Sequence, residues 1–504
     1  MATDDSIEQN DTQSVEGEEM ITEEPKVAHD QILKSLKDVV GEGRASDMYL
    51  ERIVYSGDPS SLPQFHYRWK KKYLVDYVVR AHTAEEIQGI LKIATEHNIP
   101  VIPRGGASSC LGSSSPTRGG ISVDTKLMNK ILEINPDKKF VIVQPGVTFD
   151  ALEVELLKKG LTFGIYPTSA KSAVIGGWIG CGGRAGIGTP HYGMLKENVL
   201  ELKIVKPDGE IETLDGDGFD LICGSYGTLG IITEVKLKIH ELPEGYVTFS
   251  YGFQRLEYLC QAVREISKFP FKPIFLKIAD KEFQKYSNPL EMGNFILTVT
   301  YTSNDIIDNA NEDSKFEIEA ATAGHGGEFL GEEFSEKEWE LRYDGELKPK
   351  EYTETLMFQE LWIEVDSIYD VLNKFESYRN SHKMPALWFG MLGTSTHMRL
   401  ELYAMIDPDQ YLKFIASKGI LHKMVKHSIK LGSGPYTIGL QNSIYMSRAY
   451  PELQEKMKLK KQEWDPNGIM NPDRITSCLT SYRRIDILFQ LATKFRWLSK
   501  FIGA

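Results

Sequence analysis

The placement of glycine constrains this chain more than any other feature. Three windows, residues 104–120, 176–193 and 224–230, hold 16 of the 43 glycines, where even spreading over 504 residues would put about four. Glycine is needed where the backbone takes positive φ or must approach a ligand closely. Successive N–H groups in such loops form concavities suited to anions. The first window opens Ile102-Pro103-Arg104-Gly105-Gly106-Ala107-Ser108-Ser109-Cys110-Leu111-Gly112 after a short strand-like run. It offers adjacent glycines, hydroxyls and a guanidinium, the equipment for a pyrophosphate. The second, Ile175 to Gly188, is too rich in glycine for a core helix. Its Gly180-x-Gly182-x-x-Ala185 imitates a dinucleotide fingerprint, yet Thr189 and Pro190 follow where a helix is required. The third, Asp220 to Thr233, runs straight into a strand. No GxxxxGK[ST] occurs, which excludes a Walker-type site.

Around these loops the text alternates between strand and helix. Strand-like runs at 73–80, 99–102, 120–123, 140–143, 200–205 and 231–239 enclose helical patterns at 85–96 and 149–159. From Pro243 two rounds of mixed elements follow. The first has a helix at 254–268, strands at 273–278 and 295–301, and a polar helix at 304–323. The second has a strand at 356–365, a helix at 366–380, strands at 386–391 and 398–405, and a helix at 409–431. An antiparallel, ferredoxin-like α+β domain is expected there.

Charge is concentrated at the ends. Residues 1–30 carry −9 of a net −13 and read as a solvated acidic tail. Residues 481–504 carry +4, with Ile485, Leu488, Leu491, Phe495, Leu498 and Ile502 at helical spacing beside Trp497. That pattern is a basic amphipathic helix, suited to an anionic membrane surface or a subunit contact. The acidic body gives no general attraction for nucleic acid. Neither a leader peptide nor a spanning segment is expected. The five cysteines form no CxxC pair, so no iron–sulfur cluster or zinc site is expected, and a reducing cytoplasmic setting fits.

Taken in order, Pro103–Ser108, Gln144-Pro145-Gly146-Val147, Tyr166-Pro167-Thr168-Ser169, Ile175-Gly176-Gly177, Tyr192-Gly193, Val205-Lys206-Pro207-Asp208-Gly209 and Gly224–Thr233 resemble one family. They are similar to the PCMH-type FAD-binding domain of the vanillyl-alcohol oxidase / p-cresol methylhydroxylase superfamily, in its glycolate oxidase and D-lactate dehydrogenase branch. Asp465–Pro472 matches that family's closing segment, so the resemblance spans roughly 73–475. It implies an α+β chain: a two-subdomain FAD domain at 73–243 after a helical segment at 31–72, a cap or substrate domain at 244–445, and a return to the FAD domain at 446–480. It also implies the flavin contacts. Pro103, Arg104, Gly105, Gly106, Ala107, Ser108, Ser109 and Gly112 would hold the pyrophosphate. Pro167, Thr168, Ser169, Gly176, Gly177, Gly180 and Gly186 would line the flavin cleft. Gly224, Ser225, Gly227, Thr228, Gly230 and Ile232 would pack on the nucleotide end. Relatives with covalent flavin often have His where this chain has Ala107, so dissociable FAD is expected. The usual acid of the third loop is Tyr226 here.

The implied chemistry is hydride transfer from a small 2-hydroxy acid or related alcohol, with electrons leaving to oxygen, a quinone or a separate iron–sulfur protein. Of the metal-binding stretch of the D-2-hydroxyglutarate dehydrogenase type, Gly390–His397 has Met391 in place of the first histidine and lacks the acid, and Gly434–Gly439 has neither Glu nor His, so no metal is expected. The candidate catalytic residues are Arg342 in a W..R segment, as a carboxylate fork, His397 as the proton acceptor, Arg399 beside it on one strand face, and Tyr436. An alkylglycerone-phosphate-synthase-like enzyme without net redox chemistry and a non-catalytic flavin-binding subunit are the alternatives.

Overall fold

In the computed structural model, residues 23–59, 73–303, 312–343, 345–353, 356–406 and 410–478 are described, together with Arg484 and Ile487. Most of both charged tails lies outside them. The helix Glu23–Val40 does enter the segment expected to be an acidic tail: His29 stacks on Tyr77 at 4.5 Å and its ring meets Asp47 at 3.2 Å. Among the described residues no helix is long and apolar enough to cross a membrane.

The first sheet contains β1 (Ala45–Ser46), β2 (Tyr77–Arg80), β3 (Val101–Arg104) and β4 (Ile121–Asp124) in the order β1-β2-β4-β3. β2, β4 and β3 run parallel. Between β2 and β3 the helix Ala84–Glu96 buries Ile87, Ile90, Leu91 and Ala94. The Thr83 hydroxyl caps it by accepting the Glu86 N–H, a contact of about 1 kcal/mol. The second sheet takes β5 (Ile131–Asn135), β6 (Phe140–Val143), β8 (Val199–Val205), β9 (Ile211–Asp215) and β10 (Ile231–Lys238), all antiparallel, in the order β5-β6-β10-β8-β9. A short pair, β7 (Leu161–Thr162) and β11 (His240–Glu241), closes this half. β5 and β9 carry mostly exposed or half-buried side chains, too weak a pattern to read as strands from the sequence.

The third sheet is built from β12 (Tyr246–Phe253), β13 (Phe275–Asp280), β14 (Phe295–Thr302), β15 (Glu328–Phe329), β16 (Leu356–Glu364), β17 (Ala386–Leu392), β18 (His397–Met405) and β19 (Gly434–Pro435). Its order is β15-β12-β14-β13-β17-β18-β16-β19, antiparallel throughout, so the two expected rounds merge into one sheet where β13 pairs with β17. One face packs on the helices Leu256–Ile266, Ile368–His382 and Tyr411–Lys430 through Leu361, Trp388, Leu400 and Leu402. The other meets the glycine-rich half, with Phe358, Phe389 and Tyr403 in one core with Ile179 and Tyr226.

After the helix Pro451–Trp464 the chain runs back across the first half. Met470 bridges to Val101, Arg118 pairs with Asp473 at 2.9 Å, and Asn471 donates to the Tyr226 carbonyl at 2.6 Å.

Candidate active site

The glycine loops and the third sheet enclose a cleft of about 450 Å³. One wall is the loop after β3. Gly105 packs against Val174, and a Cβ at Gly106 would lie 2.1 Å from the Ser172 carbonyl oxygen. Ala107 is held at φ 50°. Among the described residues no backbone N–H from Gly105 to Cys110 donates to another backbone carbonyl. This row of open donors is a cradle for phosphate oxygens. Arg104 lines the cleft as well, but its guanidinium donates to the Gly57 carbonyl at 2.8 Å and lies over the Tyr55 ring. It ties the loop to residues 54–57, contrary to the expectation that it grips the pyrophosphate.

The second window departs from its reading as loop alone. Ile175–Cys181 is a short helix whose apolar side, Ile175 and Ile179, enters the core. Gly176, Gly177 and Gly180 line the cleft; a Cβ on Gly176 would lie 2.4 Å from Pro145, whereas one on Gly180 would meet nothing within 4 Å. Its glycines are the absence of side chains on one helix face. The third window supplies Ser225, Gly227, Gly230 and Ile232. Tyr226, in place of the family's acid, is a strut: its hydroxyl accepts the Ile438 N–H at 2.8 Å and its N–H donates to the Gly180 carbonyl at 2.8 Å.

Four residues expected at the flavin do not line the cleft. Gly112 makes room for Leu440, Gly186 for Trp178, and Gly224 lies against Gly182. The Thr228 hydroxyl donates to the Ser225 carbonyl. Each supports a wall from behind.

The third sheet forms the opposite end. Alternation along β18 sends Met398, Leu400 and Leu402 to the helices and Arg399, Glu401 and Tyr403 to the cleft. Opposite Glu401 and Tyr403 in β16 stand Glu360 and Phe358, and both line the cleft. Glu346, from the 3₁₀ segment Gly345–Tyr352, completes the group. Arg399 Nη2 lies 2.8 Å from Glu346 and 2.9 Å from Glu401, and Nη1 is 3.9 Å from Glu360. The Thr168 hydroxyl donates to Glu346, and the Tyr403 hydroxyl donates to Glu401.

These carboxyls titrate apart. Burial works against ionisation of Glu346, but Arg399 and the Thr168 hydroxyl hold it below the usual range. Burial, opposed by Arg399, raises Glu360, and burial with repulsion from its two acidic neighbours raises Glu401 well above the usual range. At one end of the cleft Glu346 is therefore held towards its ionised form while Glu360 and Glu401 are pushed towards their neutral forms, the kind of pairing general acid–base chemistry uses. Glu346, Glu360, Glu401 and Tyr403 carry no sequence signal because the glutamates sit singly in separate segments; β16–β18 pairing brings Glu360 to Glu401, and the 3₁₀ segment Gly345–Tyr352 brings Glu346 to Arg399.

Of the other expected catalytic residues, two lie outside the cleft lining and the third is tied to its wall. His397 shares parity with Arg399 but stands at the strand end, stacked on Trp362 at 5.3 Å and outside the cleft lining. Arg342 donates to the Trp339 carbonyl at 2.8 Å and is sandwiched by the Trp339 and Tyr343 rings; Tyr343 lines the cleft in its place. Tyr436 lines the cleft, yet its hydroxyl accepts the Ala185 N–H at 3.1 Å and donates to the Ala185 carbonyl at 3.0 Å.

Comparison with known proteins decides what such a cleft holds. A model described as FAD binding domain matches residues 75–215, and one described as FAD linked oxidases, C-terminal domain, matches 242–475. The chain belongs to the FAD-linked oxidoreductases. It is 24% identical to D-lactate dehydrogenase [cytochrome], mitochondrial, of Arabidopsis thaliana over 91% of this chain and 82% of that one. It is 33% identical to glycolate oxidase subunit GlcD of Bacillus subtilis (strain 168) over 50% of this chain and 53% of that one. Its fold follows a crystal structure of p-cresol methylhydroxylase with substrate bound, at TM-score 0.74 and 15% identity, over 89% of this chain and 97% of that one. The FAD-linked oxidoreductase thus has the PCMH-type fold, and the open donors of Gly105–Cys110 with the bare glycine face of Ile175–Cys181 fit its cofactor.

Proposed function

We propose that this FAD-linked oxidoreductase is a dehydrogenase that takes a hydride from the carbinol carbon of a small 2-hydroxy acid or related alcohol onto non-covalently held FAD. A separate acceptor, an iron–sulfur protein or a quinone, then removes the electrons. The observation that carries this reading is one continuous cleft running from the glycine loops to the Arg399 carboxylate group. Bound FAD supplies the two-electron sink. The chain's own residues supply the rest. The N–H groups of Gly105–Ser109 and the hydroxyls of Ser108 and Ser109 would hold the pyrophosphate, and Ala107 offers no atom for a covalent bond. Gly176, Gly177 and Gly180 let the cofactor lie against backbone. Glu346, kept ionised by Arg399, accepts the hydroxyl proton as the C–H bond breaks. Glu401 and Tyr403 exclude water and fix Arg399. His397 and Arg342 take no part.

Denaturing the purified protein should release FAD into the supernatant, and the apoprotein should regain it. Anaerobic bleaching by a panel of alcohols and 2-hydroxy acids, followed by electron transfer to an added quinone, checks the dehydrogenase assignment. A colourless protein that cannot be reconstituted counts against it.

A further inference from the structure

The helix Tyr49–Tyr55 is built inside out. Tyr49, Leu50, Ile53 and Val54, with Met48 just before them, form one stripe along it and are 44–71% exposed, and no residue of the helix is buried. The side turned to the protein is the polar one. Arg52 Nε donates to the Val75 carbonyl at 2.7 Å, Glu51 pairs with Arg80 at 2.7 Å, and the Tyr55 hydroxyl donates to Asp124 at 2.8 Å. Elsewhere among the described residues, large exposed apolar side chains stand singly or in pairs. Scattered ones need no explanation, but five on one short helix whose polar side faces inward do.

The charge beside the stripe says what it faces. The Val75 N–H donates to the Ser56 hydroxyl at 2.8 Å, so the chain between them closes on itself at the C-terminal end of the helix. Residues 60–72 of that loop lie outside the described residues; in sequence they carry four bases, Arg68 and Lys70–Lys72, no acid, and three aromatics including Trp69. A chain of net charge −13 thus keeps a local +4 next to this stripe. Apolar side chains for the acyl boundary, Trp and Tyr for the headgroup level, and Lys or Arg for anionic headgroups are the components of an interfacial membrane contact. Each base near an anionic surface strengthens binding about fivefold, and salt screens the effect. A second copy of this acidic chain accounts for the stripe but gives the bases no reason to be there.

We propose that the Met48–Val54 stripe is a docking surface for an anionic lipid bilayer. The helix is too short to span one, so the contact is peripheral. The docking is independent of which alcohol the cleft oxidises. Residues 481–504 are a second basic amphipathic segment, so the test changes the stripe and leaves them intact.

The full chain with FAD bound is floated with vesicles of phosphatidylcholine mixed with phosphatidylglycerol, and with vesicles of phosphatidylcholine alone, at low and at high salt. The parent should float with the anionic vesicles at low salt and lose most of that binding on neutral vesicles or at high salt. Leu50→Gln combined with Val54→Gln removes apolar surface without changing charge. It should weaken lipid binding about tenfold or more, with bound FAD and solution mass unchanged. Leu459→Gln, at an exposed leucine of the helix Pro451–Trp464, is the matched control and should float like the parent. A parent that stays in the soluble fraction overturns the proposal. Binding undiminished in the double variant overturns it too, because the stripe would then carry none of it. A parent dimer that the double variant converts to a monomer in the absence of lipid makes the stripe a contact between copies, and equally overturns the proposal.

Discussion

At position 399 a buried guanidinium is the counter-charge that keeps Glu346 ionised, and its removal leaves that carboxylate with none. Arg399→Met should therefore lower stability by about 3–5 kcal/mol in chemical denaturation. Adding Glu346→Gln, which removes the orphaned charge, should recover part of that loss. His397→Ala, by contrast, should leave kcat within a few-fold of the parent, because the imidazole packs on Trp362 away from the cleft. A large loss of kcat would return it to the mechanism. The third residue-scale prediction concerns Lys418, buried in the helix Tyr411–Lys430 with no ion pair among the described residues. Burial alone pushes its ammonium down from 10.5 to about 7. Between those values the unfolded chain binds the proton and the folded chain does not, so this group's contribution to stability rises as pH increases through that window. Lys418→Met should stabilise the protein by about 1–3 kcal/mol at neutral pH, with the gain shrinking as pH rises towards 10.5. A gain that does not change with pH would contradict this account.

The short helix Ile175–Cys181 decides whether its glycines serve packing or a ligand. Gly176 needs its missing side chain because Pro145 Cβ would lie 2.4 Å away, whereas Gly180 faces open cleft. Gly180→Ala should therefore stabilise the apoprotein by about 1 kcal/mol through helix propensity. Gly180→Leu should fold normally and weaken FAD binding more than tenfold, read by flavin fluorescence on titration. Unchanged FAD affinity in Gly180→Leu would separate this helix from the cofactor. The same element marks the boundary of what the sequence discloses. The glycine count located the cleft, since a bare backbone face leaves its mark in composition. It did not distinguish loop from helix, because a helix with glycines on one side lacks the apolar periodicity by which helices are recognised. β18 shows the complementary case. Its alternation put Arg399 on the inward face, but parity alone also admitted His397, which lies one step beyond the wall. Glu360 becomes visible only when the sheet register is known and Glu346 only when the 3₁₀ segment is placed, because they lie 41 and 55 residues before Glu401 and join it only in the folded chain.

At the scale of the molecule, the two halves are joined by the cleft and by the returning segment after Pro451. Asn471, Asp473 and Lys461 fasten that segment to Tyr226, Arg118 and Thr228, behind the loops that line the cleft. The arrangement places a glycine-lined cofactor cradle and an acid–base group at opposite ends of one space, which is what hydride removal from an alcohol requires. The most direct test of that claim is the anaerobic rate of flavin bleaching by an alcohol bearing deuterium at its carbinol carbon, compared with the unlabelled compound. The account predicts bleaching that is several-fold slower with the deuterated alcohol and that is lost in Glu346→Gln. Bleaching by no alcohol, or bleaching at equal rates with both isotopes and undiminished in Glu346→Gln, would contradict it.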